Sequence, residues 1–221
     1  MAPLHPGYAM TARASIRGWH FAKTTLRDGR KLPRKGTTLR HDGEVIPCQS
    51  GLHFSERAID ALEYAPGTFV ALVEGPPDAL PHGSPTDKRC GAWRKNLTPY
   101  VDSAKVLHRF ACWCATRAMD REEAAEERID PRSREAVRVK LAWLDGKATD
   151  EELLAAGAAA MCGAAAGTAA WASSRASAWD AARDAAWDAA WDAARGAARD
   201  AERIAQNTQL ESMLLELLGV K

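Results

Sequence analysis

Three clusters of side chains in this sequence have the types and spacing that chemistry needs. The first is Trp19-His20-Phe21, with Lys23 close behind. It sets an imidazole, which exchanges protons near neutral pH, inside an apolar pair. The second is the run from Cys48 to Ser55, in which His53 lies between a strand and a helix start. Side chains at such junctions often meet ligands. The third is Cys112-Trp113-Cys114, two thiols of metal-ligating type. On a helix, residues two apart are rotated by about 200°, so this pair chelates poorly. Beside Phe110 and Trp113 the two thiols read as structural. His20 and His53 keep two readings, as ligand contacts or as satisfied, partly buried side chains.

The elements that would position these residues fall into two textures. From about residue 15 to 98 the chain is β-rich and punctuated by turns. Trp19-His20-Phe21 suits a first strand, and Glu44-Val45-Ile46 a short one between the turn signals Asp28-Gly29, Lys35-Gly36 and Asp42-Gly43. Ser55 can N-cap a helix through Ala58, Ile59 and Leu62, which Ala65-Pro66-Gly67 stops. Thr68 to Glu74 is the clearest strand, and its nearly unbroken apolar run predicts burial on both faces. Residues 75–98, with Pro76-Pro77 and further prolines, read as mostly loop.

Beyond that the pattern is helical. Thr98 and Pro99 make an N-cap and N1 pair, with Val106, Phe110 and Trp113 on one face. Asp130-Pro131 starts a second helix, and Thr149 with Glu152 forms a capping box for a third. The tail then repeats a tryptophan or arginine every fourth residue from Trp171 through Trp179, Trp187 and Trp191 to Arg203, mostly on an alanine background. Alanine secures the helix. A step of four drifts by about 40° per repeat, so the tryptophans spiral around the rod and alanine columns between them permit close backbone approach. A rod packed back on the rest of the chain is the leading reading, with Gly157, Gly163, Gly167 and Ser173-Ser174 breaking it into two or three helices. The apolar stripe Leu210, Met213, Leu214 and Leu217 suits a partner helix.

The formal net charge is +1, which argues against a globally acidic or basic role. Residues 1–50 nevertheless hold nine Lys/Arg against three acids. That excess could attract phosphates, and nucleic acid is a possible but less favoured partner. Five cysteines without framework spacing read as reduced thiols in a cytosol, and the opening residues lack the form of a secretion signal. Leu153 to Ser174 carries no charge and contains a small-xxx-small pattern, yet it has few large apolar groups. It reads as a closely packed soluble helix, and no membrane partner is expected.

Several of these motifs carry a family resemblance. Leu26 to Arg30, Thr38 to Glu44, Cys48 to Ser55, Asp60 to Gly67, Asp87 to Cys90 and Leu107 to Ala115, followed by an alanine–tryptophan–arginine tail, resemble an uncharacterised family of phage, prophage and metagenomic proteins. The likeness implies a mobile-element origin and supplies no activity. A second likeness carries chemistry. His20, Lys23, Leu26 and Gly29, then Gly51 to Ser55, Val70 to Glu74 and Thr86 to Arg89, resemble the small rifamycin-modifying ADP-ribosyltransferases. In that family a histidine holds the NAD ribose, a tyrosine stacks on nicotinamide and an aspartate assists transfer. Position by position, His20 matches the histidine and His53 stands where the tyrosine would be. The aspartate's place falls on His82, with Asp78 and Asp87 nearby. A histidine can stack, but it does not replace a carboxylate in stabilising a ribosyl cation.

The sequence therefore predicts an α+β fold. A small mixed or antiparallel sheet domain spans 15–98 after an N-terminal extension (1–14). A helical region (99–148) and an Ala/Trp-rich helical tail (149–221) follow. The expected function is a phage or prophage accessory protein that binds a host macromolecule in the host cytoplasm without catalysis and without a cofactor. Its partner, a host protein or a second copy, would be met through the tail at Trp171, Trp179, Trp187, Trp191, Leu210, Leu214 and Leu217. The alternative is an ADP-ribosyltransferase-like domain that binds or uses NAD. Its candidate ligand contacts are His20, Lys23, His53, Ser55, Tyr64, His82 and Asp87. No metal site is expected.

Overall fold

The computed structural model of the chain describes residues 14–83, 86–126, 128–160, 178–192 and 197–220. At its centre two strands run antiparallel, β1 (Ile16–Ala22) and β4 (Phe69–Gly75), in register from Ile16 opposite Gly75 to Ala22 opposite Phe69. The alternation of a strand explains why this pair can serve two purposes. Val70 and, on β1, Trp19 and Phe21 pack into the main core with the helices. Ala71 and Val73, on the other face of β4, pack with Phe54 and Ala79 in a second, smaller core. The expected double-sided burial of β4 is thus met by two different cores.

The rest of the first sheet is β2 (Thr38–Arg40), β7 (Trp93–Asn96) and β8 (Val101–Asp102), in the order β1-β4-β7-β2 with β8 on β4. A three-stranded sheet, β3 (Leu52–Phe54), β6 (Lys88–Gly91) and β5 (Leu80–His82), is antiparallel throughout. The fold is α+β. Residues 75–98 are therefore not mostly loop, because they hold β5, β6 and β7. The prolines misled through composition alone, since Pro81 sits on β5 at the edge of its sheet, where a missing N–H costs least. Glu44 to Ile46 forms no strand, and Ile46 only bridges to Ser50.

Among the described residues six helices follow or interrupt the sheets: α1 (Ala58–Glu63), α2 (Ala104–Ala124), α3 (Pro131–Leu144), α4 (Asp150–Ala160), α5 (Ala178–Asp192) and α6 (Ala197–Leu218). The helix expected from Thr98-Pro99 is α2, which starts at Ala104 and not at Pro99. Thr98 instead accepts the Leu72 N–H on its side-chain oxygen (3.0 Å), and Val101–Asp102 adds to the sheet, so the β-rich part runs to 102. Asp130 does cap α3, accepting the Arg132 N–H, and Thr149 with Glu152 closes the expected capping box of α4. Ser55 does not cap α1, whose N-cap is Arg57 without a side-chain bond. The tail supplies the cap. Glu211 Oε1 accepts the Ala58 N–H (3.1 Å) and Asn207 Oδ1 accepts the Ile59 N–H (3.2 Å), two of the donors that a helix start leaves open.

The tail packs inward. Ala181, Ala182, Ala185, Ala186 and Ala189 of α5 are buried, which lets this helix lie close along α2. Leu210 and Leu214 of α6 are fully buried in the main core, and Leu217 packs against it, so the stripe predicted to meet a partner faces the chain's own interior. Leu210 and Leu214 each contribute about 1.5–3 kcal/mol by leaving water. Glu202, also buried, takes ion pairs from Arg117 (3.0 Å) and Arg121 (2.7 Å) on α2. Trp179, Trp187 and Trp191 fall on α5 by their backbone, but their side chains lie outside the described residues, as does Trp171 altogether. No described helix is long and apolar enough to cross a membrane.

Candidate functional site

Between β1, β3, α1 and the loop that follows β1 lies a cavity of about 910 Å³. Ligand pockets commonly span about 300–1,000 Å³, so this one has room for a molecule the size of a dinucleotide. Its walls are built by two constraints. Trp19 and Ser55 exchange both backbone hydrogen bonds (2.7 and 3.1 Å), which hooks β1 onto the end of β3. That closeness requires Gly18, where a Cβ would meet the Ser55 carbonyl oxygen at 2.4 Å. On the far side the Cys48–Gly51 turn enters the wall, and Gly51 has φ +116° and no space for a Cβ beside the Cys90 sulfur.

Of the seven candidate contacts, His20, Lys23, His53, Ser55 and Tyr64 line this cavity. His82 and Asp87 do not line it, and each instead touches a residue that does. The His82 Nε2 lies 3.3 Å from the Cys48 sulfur, and Asp87 Oδ2 accepts the Tyr64 hydroxyl at 2.7 Å. The Lys88 ammonium stands over the Tyr64 ring at 3.9 Å. Burial first, then the Asp87 hydrogen bond, raises the Tyr64 phenol above its ordinary range, so it stays a neutral donor.

The two histidines are held neutral. Burial, with Arg94 and His53 nearby, pushes the His20 imidazole well below its ordinary value. Its Nδ1 meets the Tyr100 hydroxyl at 2.7 Å. His53 is lowered to about 4 by burial and then by the positive charges of Lys88, Arg94 and Arg27. Its Nε2 accepts the Cys48 N–H (3.1 Å), so its hydrogen resides on Nδ1.

The residue that gives the cavity its character is Arg94, which the sequence did not single out. It is 2% exposed, lines the cavity from β7, and is paired with no carboxylate among the described residues. Nη1 donates to the His53 carbonyl oxygen (2.5 Å) and Nη2 approaches the Tyr100 hydroxyl (3.5 Å), while the buried Nε–H has no partner. Burial lowers its affinity for the proton, and Arg30 adds to this. Arginine stays charged even so. Lys23, Arg27, Arg30 and Lys88 also line the walls, against one carboxylate, Asp28, which is already paired with Arg30 at 2.6 Å. Part of this was legible as the basic excess of residues 1–50. Arg94 was not, because Trp93 to Asn96 lies in a proline-rich stretch whose local pattern marks no strand.

No family model, no curated protein and no solved structure matches the chain. A desolvated planar guanidinium facing a cationic cavity attracts oxyanions such as phosphates, which it can grip through two parallel N–H bonds. No group of three or more His, Cys, Asp or Glu among the described residues is arranged to hold a metal ion.

Proposed function

We propose that the α+β domain binds a nucleotide of the NAD class in this cavity, with the phosphates on Arg94. The observation that carries the reading is the buried guanidinium, without a carboxylate among the described residues, in a cavity of dinucleotide size. An uncompensated buried charge is expensive, and a bound anion offsets that cost. His20 and the neutral His53 supply ring faces and single donors for ribose and base, and Lys23, Arg27 and Lys88 surround them with positive charge. The resemblance to the rifamycin-modifying enzymes points to the same ligand. The one carboxylate among the described lining residues is engaged by Arg30, so the site is equipped for binding and not for stabilising a ribosyl cation. The chain then acts as an accessory protein through the ligand it holds.

Thermal unfolding with NAD, ADP-ribose, inorganic pyrophosphate and adenosine tests this. The phosphate-bearing ligands should raise the midpoint, by about 2.7 kcal/mol of stabilisation at a hundredfold excess over Kd, and adenosine should not. Equal effects of adenosine and ADP-ribose would remove the role given to Arg94.

A further inference from the structure

The wall of the cavity also carries a thiol. Cys48 is the exposed cysteine among the described residues, whereas Cys90, Cys112 and Cys114 are buried. It stands at the tip of a tight turn in which Gln49 and Ser50 both donate backbone hydrogen bonds to the Ile46 carbonyl oxygen (3.0 and 2.9 Å). Its φ is +66°, a left-handed conformation that a residue with a Cβ seldom takes. Such strain persists where the surroundings impose it and clusters at functional sites. Here His53 holds the turn by accepting the Cys48 N–H, and the sulfur is left 3.3 Å from the His82 Nε2. A thiol within reach of an imidazole is the arrangement by which a cysteine nucleophile is activated. His82 does not line the cavity, whereas the sulfur-bearing residue and Arg94 both do.

We propose that Cys48 is a nucleophile toward small anionic electrophiles, carbon centres that bear a leaving group together with a carboxylate or phosphate, and that His82 takes its proton. In this step the bond from Sγ to the electrophilic carbon forms, the bond from that carbon to the leaving group breaks, and the leaving group departs with the electron pair. The thiol proton passes to Nε2 of His82 and then to solvent. Arg94 and the lysines and arginines of the lining select the anion. The inference rests on the anion-binding reading of the cavity. It does not need the anion to be a nucleotide.

The test uses the intact chain and two alkylating probes, iodoacetate and iodoacetamide, with the modified cysteine located by mass spectrometry. Cys48 should react while Cys90, Cys112 and Cys114 stay unmodified. Its preference for iodoacetate over iodoacetamide should exceed that of free glutathione by at least about tenfold, and inorganic pyrophosphate should abolish that excess. His82→Gln, with folding checked by circular dichroism, should slow both probes by about tenfold or more, since a positioned base contributes at least that much. A preference equal to that of glutathione would overturn the proposal on wild-type protein alone. Rates unchanged in folded His82→Gln would overturn it as well. Nucleotide binding is read separately in unfolding experiments, so a chain that binds NAD but alkylates like glutathione refutes only the thiol.

Discussion

Nη1 of Arg94 donates to the carbonyl oxygen of His53 at 2.5 Å, and this bond ties β7 to the strand that carries the cavity's second imidazole. The guanidinium is desolvated, and its charge is answered by a backbone dipole and a phenol where buried arginines usually have a carboxylate. Replacing a buried ion pair by apolar groups of similar size is often neutral or stabilising by about 1–4 kcal/mol, and removing Arg94 strands no partner charge. Arg94→Met should therefore leave the ligand-free midpoint unchanged or higher while removing the shift caused by pyrophosphate. A large fall in the ligand-free midpoint would mean that the guanidinium serves the fold instead.

The neutral histidines set the acid limb of stability. His53 has a folded value of about 4 against about 6.5 in an unfolded chain, and His20 is lowered too. Below pH 6.5 the unfolded chain binds protons that the folded chain refuses, so stability present above 6.5 is lost as pH falls toward 4. Unfolding midpoints measured between pH 7 and 4 should decline through this window, and His53→Gln should flatten the decline. An identical slope in His53→Gln would show that the histidine is not responsible.

The tail braces the cavity from outside. Glu211 accepts from Trp19 Nε1 and from the Ala58 N–H, both at 3.1 Å, so a single carboxylate joins β1 to the start of α1. Glu211→Ala removes a cap and a side-chain bond together, and should cost about 1–3 kcal/mol in chemical denaturation. Glu211→Gln keeps an acceptor oxygen and should recover most of that loss. Equal losses in the two variants would deny the capping role.

Inside the same helix, Glu202 holds two arginines of α2. Glu202→Ala leaves Arg117 and Arg121 partly exposed and able to hydrate, so the cost should be about 2–3 kcal/mol, below that of stranding a fully buried charge. Hydrogen exchange should show α5 and α6 loosening before the sheet.

The parts of the fold that the sequence exposed are those where local chemistry and tertiary need agree. Asp130-Pro131 and the Thr149–Glu152 box start helices, and Val70 to Glu74 is a strand whichever core it faces. The small strands β5 to β7 were hidden because each has only three or four residues and takes its stability from pairing, which no local pattern records. The α1 cap was misplaced because its acceptors, Asn207 and Glu211, lie far along the chain. In the site, His20, Lys23, His53, Ser55 and Tyr64 could be grouped by motif. Arg94 could not, since in Trp93-Arg94-Lys95 it is one cation beside another, and only the inward face of β7 distinguishes it. The leucine stripe read correctly as apolar and helical, yet an apolar face does not say whether its cover is another chain or the same one.

Gly18 offers a check on the cavity's geometry. Its absent Cβ leaves space for the Ser55 carbonyl, so Gly18→Ala must separate β1 from β3 or distort both. Overpacking of this kind costs about 1–3 kcal/mol. The variant should also weaken NAD binding more than Gly29→Ala, a turn position with open space around it where only the positive φ is strained. Equal weakening would place the ligand away from the β1–β3 junction.

The most direct test is calorimetric titration of the intact chain with NAD, run beside Arg94→Gln at the same ionic strength. Saturable heat with one site per chain, lost in the folded variant and weakened by added salt, is the predicted result. Absence of heat at millimolar NAD, or equal binding by Arg94→Gln, would contradict the assignment of the cavity as a nucleotide site.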